Sequence, residues 1–164
     1  MKNYLLSIGI LIAICSMYSC STPIEEYKPK SNDEKQIVDL LIRYTEAVNT
    51  GDSENIVPLF HQNGVYVTGS GNALSREEML KWKSENWTAL GIRKIHNPEI
   101  AINGNEAKVT AKVKYGNVSY GGIFTLIKEN NEWLIMRRVW LLADSTYGIF
   151  FNQIILKIKF KSRI

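Results

Sequence analysis

Cysteine and histidine are scarce in this sequence. Its 164 residues include two cysteines, Cys15 and Cys20, and two histidines, His61 and His96. With no thiol after Cys20, the chain beyond it can hold no disulfide framework, thiolate nucleophile or thiolate metal site. Two histidines are too few for a multi-histidine cage, so no metal and no cofactor is expected. A domain of one charge sign is missing as well. The formal net charge of +4 comes from the two ends, from Lys2 and from Lys157, Lys159, Lys161 and Arg163 less Asp144. Between Cys20 and Ala143 fifteen basic residues face fifteen acidic ones. A neutral domain carries no electrostatic footprint for nucleic acid, which is therefore not an expected partner. No apolar run is long enough to anchor stably across a bilayer.

The longest apolar stretch, Tyr4 to Ile14, follows a charged start and leads to Met17-Tyr18-Ser19-Cys20. That order is the pattern of a secretory signal. Ser19-Cys20 resembles the bacterial lipobox, in which the thiol is acylated before cleavage; Met17 and Tyr18 stand where leucine and a small residue are usual. The resemblance implies a signal over residues 1–19, lipidation of Cys20 and a lipid-anchored place in the cell envelope. Ser21, where an inner-membrane lipoprotein carries Asp, implies the outer membrane if the cell has one. Several acyl chains would make that anchor firm. Residues 20–31, polar and without periodicity, are expected to be a flexible tether.

The remainder predicts one α+β domain over residues 32–142. Ser31 and Glu34 have capping-box spacing. Ile37, Leu40, Leu41, Tyr44, Ala47 and Val48 then fall on one helical face, which Gly51 ends. A short second helix carries Ile56, Leu59 and Phe60, with Pro58 limiting it. Gly64 to Thr68 predicts a strand, and Ser75 with Glu78 caps a third helix bearing Met79, Trp82 and Trp87. Four strands follow. Pro98 suggests an edge or a bend in the first, Asn103-Gly104 signals a hairpin, and residues 107–115 alternate apolar with polar. Glu129-Asn130-Asn131 turns the chain into the last strand, Trp133 to Leu142. The expected architecture is three N-terminal helices packed on a curved, mostly antiparallel sheet.

Arg43 to Asp52, with its Asn49-Thr50-Gly51-Asp52 turn, followed by Ile56 to Phe60, resembles the opening of nuclear transport factor 2-like domains. That superfamily includes ketosteroid isomerases and polyketide cyclases of the SnoaL type. The resemblance implies a cone-shaped roll enclosing a pocket. It does not imply isomerase chemistry, which needs a carboxylate base and a second acid beside an oxyanion tyrosine. Tyr44 matches the tyrosine, but no acid stands near Thr68 or Gly122.

The residues expected to line the pocket are Tyr44, Tyr66, Thr68, Trp82, His96, Tyr120 and Trp140, with Gly121 and Gly122 leaving space. The expected ligand is small and largely apolar, without a clear catalytic set. A cyclase, dehydratase or isomerase using His96 and Tyr44 is the enzymatic alternative; a dimeric protein-interaction module is the other. Alternation puts one of Arg137 and Arg138 on each face of the last strand, and an inward arginine implies an anionic ligand or a buried ion pair. The apolar and basic extension, residues 143–164, is expected to add a strand.

Overall fold

The computed structural model describes residues 21–67, 71–86, 92–116 and 118–142. The signal, Cys20, Thr68 and the extension 143–164 lie outside the described residues. Helix α1 spans Asn32–Thr50, α2 is a single turn at Ser53–Ile56, and α3 spans Arg76–Asn86. Strands β1 (Phe60–Val67), β2 (Ala73–Ser75), β3 (Arg93–Asn103), β4 (Glu106–Tyr115), β5 (Val118–Glu129) and β6 (Glu132–Leu142) form one sheet. Its order is β2-β1-β6-β5-β4-β3, parallel between β1 and β6 and antiparallel elsewhere. The sheet is therefore mixed. The first strand also starts four residues before Gly64, because residues 57–59 form a tight 3-10 turn.

Both capping signals act. The Ser31 hydroxyl accepts from the Glu34 amide at 3.1 Å, and the Glu34 carboxylate accepts from the Lys30 amide at 2.7 Å. At α3 the exchange is reciprocal, Glu78 N to Ser75 Oγ at 3.2 Å and Ser75 N to Glu78 Oε2 at 2.8 Å. These bonds satisfy donors that a helix start leaves unpaired. The apolar face of α1 then buries Ile37, Leu40, Leu41, Tyr44 and Val48 against the sheet.

The Asn-Thr-Gly-Asp turn fixes where α1 ends relative to β3. Gly51 takes the left-handed conformation that closes the helix, with φ of 74°. Asn49 then brackets Arg93: its amide donates to the Arg93 carbonyl at 2.9 Å and accepts from the Arg93 amide at 2.8 Å. Asn49→Ala leaves both backbone groups without partners and should lower the unfolding free energy by about 2 kcal/mol. Urea unfolding of the two proteins checks this.

The stretch expected to be a tether is instead part of the domain from Thr22 onward. Asn97 donates its amide to the Thr22 carbonyl at 2.8 Å, and its side-chain oxygen accepts from the Thr22 amide at 2.7 Å. Pro23 pairs with His96 along the sheet's edge, and Ile24 is fully buried in the core. A short polar stretch looks like a linker in sequence, but one isoleucine between α1 and β3 is enough to dock it.

Candidate functional site

Among the described residues, Arg138 is the largest side chain wholly withdrawn from solvent. It lies on central strand β6, paired with Tyr66 of β1 on one side and Phe124 of β5 on the other. Its guanidinium carbon sits 3.2 Å from the centre of the Trp140 ring, 4.6 Å from that of Tyr66 and 5.9 Å from that of Tyr44. None of the three guanidinium nitrogens has a hydrogen bond of normal geometry. Burial pulls its pKa below the ordinary arginine value, Tyr44 and Tyr66 oppose the fall, Arg93 adds to it, and a polar contact with Tyr66 opposes it again. The group stays charged all the same.

A second polar atom in the same interior is also unpartnered, the Tyr44 hydroxyl. Burial raises the Tyr44 pKa and Arg138 opposes the rise, so the hydroxyl is neutral and able to donate. Tyr44 meets Phe124 edge-on at 5.6 Å and Phe60 at 6.1 Å, and Phe124 meets Trp140 at 6.2 Å. These rings form an aromatic box around one cation.

Among the described residues, a small space of about 10 Å³ lies in this interior, bounded by Tyr44, Thr45, Val48, Arg93, Val113 and Trp140 among others. No carboxylate lines it. Gly122 does not open a hollow, because a Cβ there would stand 3.0 Å from the Trp140 ring and 3.2 Å from a Val113 methyl. Gly122→Leu should therefore cost about 1–3 kcal/mol of stability, read as a lower urea midpoint at unchanged slope. A larger hollow, about 780 Å³, opens between α1 and the β5–β6 turn, lined by Asp39, Arg43, Asn130 and Glu132 among others. It is a surface groove with charges of both signs.

Of the residues expected to line the pocket, Tyr44, Tyr66 and Trp140 are brought together around Arg138. Tyr120 shares the inner face through its pairing with Val113 and is half-buried. The Trp82 side chain and Thr68 lie outside the described residues. His96 is a correction. Ile95 and Val113 pair and line the interior, so His96, paired with Lys112, projects from the opposite face. It is buried there beside Ser21 and Pro23, and its pKa is lowered by burial first and then by Lys114. His96 and Tyr44 thus cannot serve one cavity. His61 is also buried and stands 3.4 Å from the exposed Glu129, away from the box.

Arg138 and Asn49 carry roles that residue type alone did not assign. Among the described residues no group of three His, Cys, Asp or Glu could hold a metal.

A family model described as "Putative lumazine-binding" matches residues 32–141. No curated protein matches the chain. Among solved structures, a nuclear transport factor 2-like protein from Cytophaga hutchinsonii is similar at 16% identity, with a TM-score of 0.61, covering 68% of this chain and 99% of that one. A protein of unknown function with a cystatin-like fold from Nostoc punctiforme is 19% identical with a TM-score of 0.63, covering 73% and 97%. A structure described as "Putative Scytalone Dehydratase" from Novosphingobium aromaticivorans is 16% identical with a TM-score of 0.58, covering 66% and 82%. At such identities the likeness establishes the cone-shaped fold and no activity.

Proposed function

We propose, from the premise that this chain belongs to the lumazine-binding-like family of the nuclear transport factor 2-like superfamily, that it binds a small flat ligand edged with anionic or carbonyl oxygens inside the cone. The observation that carries this reading is Arg138, a fully buried guanidinium with no carboxylate partner among the described residues and a polar contact with Tyr66. An ion taken out of water loses several kcal/mol, and stacking on Trp140, Tyr66 and Tyr44 returns about 2 kcal/mol per good contact. The rings stabilise the charge through their faces, which leaves donors of the guanidinium for a ligand. A guanidinium fork matches a pair of coplanar oxygens, and the neutral Tyr44 hydroxyl supplies one more donor. Trp140, half-exposed at 3.2 Å from the guanidinium, is the side chain that a flat ring would displace.

Lumazine, a planar heterocycle with two ring carbonyls, fits that description, as do aromatic carboxylates. Calorimetric titration of lumazine and a panel of aromatic carboxylates into the purified chain should give binding that Arg138→Met abolishes. Equal binding by the parent and by Arg138→Met would overturn the reading. An interaction module has less support, because the outer face of β3 and β4 exposes lysines and not an apolar patch.

The address belongs to the same proposal: residues 1–19 act as a signal and Cys20 carries the lipid that holds the domain in the envelope, Ser19-Cys20 being its support. Cys20→Ala should move the protein out of the membrane fraction, and the intact mass should lose its acyl chains. An unchanged acylated mass would sink the assignment.

A further inference from the structure

Arg138 does not stand alone in the cone. Arg93 opens β3 opposite Tyr115 of β4, two residues before the buried Ile95, and so shares the inward face of that strand. Asn49 holds its backbone from both sides, which fixes where the side chain begins. The Arg93 guanidinium carbon lies 5.7 Å from the centre of the Tyr115 ring, and its terminal nitrogen Nη1 is out of solvent. Arg93 borders the same small space as Tyr44 and Trp140, the two rings that also flank Arg138.

Two guanidinium groups therefore share one interior. The groups whose charges act on Arg138 are Tyr44, Tyr66 and Arg93; those acting on Tyr44 are Arg138, Tyr66 and Arg93. Both sets consist of tyrosines and arginines. Like charges in an apolar space raise the cost of burying each other. One anionic group on Arg138 offsets a single charge, whereas a ligand with two offsets both. A guanidinium carries five donors, so contacts of Arg93 with its neighbours do not exclude a further acceptor.

We propose that the cone selects planar aromatic dianions, with one acidic group on Arg138 in the interior and the other on Arg93 at the start of β3. The proposal rests on the ligand site described above and narrows its ligand class. Each guanidinium takes a carboxylate through two parallel hydrogen bonds, and the ring lies between them against Tyr44, in the place of the Trp140 side chain. Arg93 is then the residue that separates ligands of two charges from ligands of one.

The test compares each of the three benzenedicarboxylate isomers with its own monoamide, which keeps the ring and the size but removes one charge. In calorimetric titration of the purified full chain, at least one diacid should bind roughly tenfold tighter than its monoamide. Arg93→Gln should bring that ratio close to one, and Arg93→Lys should keep part of it. A ratio cancels any general weakening of the site, so a merely structural role for Arg93 leaves it unchanged. A ratio near one in the parent overturns the proposal without recourse to a variant, as does a ratio that survives Arg93→Gln. If Arg138→Met abolishes binding in either of those cases, the ligand site stands and only the choice of dianions falls. Equal binding by the parent and Arg138→Met, or no binding by the parent, removes the site and this proposal together.

Discussion

Arg138→Met should raise the unfolding free energy by about 1–4 kcal/mol and abolish ligand binding in the same molecule. Ordinarily a large, fully buried side chain is lost only at a cost. Here the side chain brings an ion into the interior and leaves its three nitrogens without hydrogen bonds of normal geometry, with Tyr66 as a polar contact. Methionine keeps the length and the contacts with Tyr66, Trp140 and Phe124 while removing the desolvated charge. The gain is smaller than the full penalty because three stacked rings already stabilise the cation. Urea unfolding without ligand reads the first half of the prediction and calorimetry the second. A loss of about 3–5 kcal/mol would instead identify Arg138 as half of a structural ion pair, and the binding reading would lose its support. Arg138→Lys should keep the charge but lose the two-pronged contact, weakening binding while recovering none of the stability.

Arg138 also shows where strand alternation stops being a guide. Trp133 and Ile135 are buried in the core, and a strict period of two from them puts Arg137 inward and Arg138 outward. The observed pairing shifts between Thr125 and Leu126: Leu126 faces Ile135, but Thr125 faces Arg137, and Met136 is the extra residue. A bulge of this kind re-aims the side chains that follow it, so Arg138 and Trp140 turn inward. The same happens on β3, where pairing slips between His96 and Glu99 at Asn97-Pro98. By contrast β4 has no bulge, and its alternation was legible residue by residue, with Ala107, Val109, Ala111 and Val113 inside. The caps at Ser31 and Ser75 were legible too, because they depend on contacts three residues apart. The Asn49 bracket was not, since its partner Arg93 is 44 positions away. The aromatic wall could be read from composition, but the charge that it surrounds could not.

Ile24→Ala should destabilise the domain by about 2–5 kcal/mol, a loss that no tether residue could produce. In sequence Ile24 is one apolar residue among Pro23, Glu25 and Glu26, with no periodic partner to mark it as core. In the fold it is completely inaccessible and belongs to the cluster formed by α1 and the sheet. Two features hold it there. The Thr22–Asn97 pair fixes the chain on the preceding side. On the following side a 3-10 turn at Ile24–Glu26 leads to Tyr27, whose hydroxyl donates to Glu34 of α1 at 3.2 Å. With both sides pinned, the chain around an alanine cannot collapse easily into the vacated space, which places the loss toward the upper part of that range. The reference variant is Glu26→Ala, exposed on the same turn, which should change stability by less than about 0.5 kcal/mol. Parallel urea melts of the full chain decide the matter. If Ile24→Ala and Glu26→Ala melt alike, residues 20–31 are a linker after all.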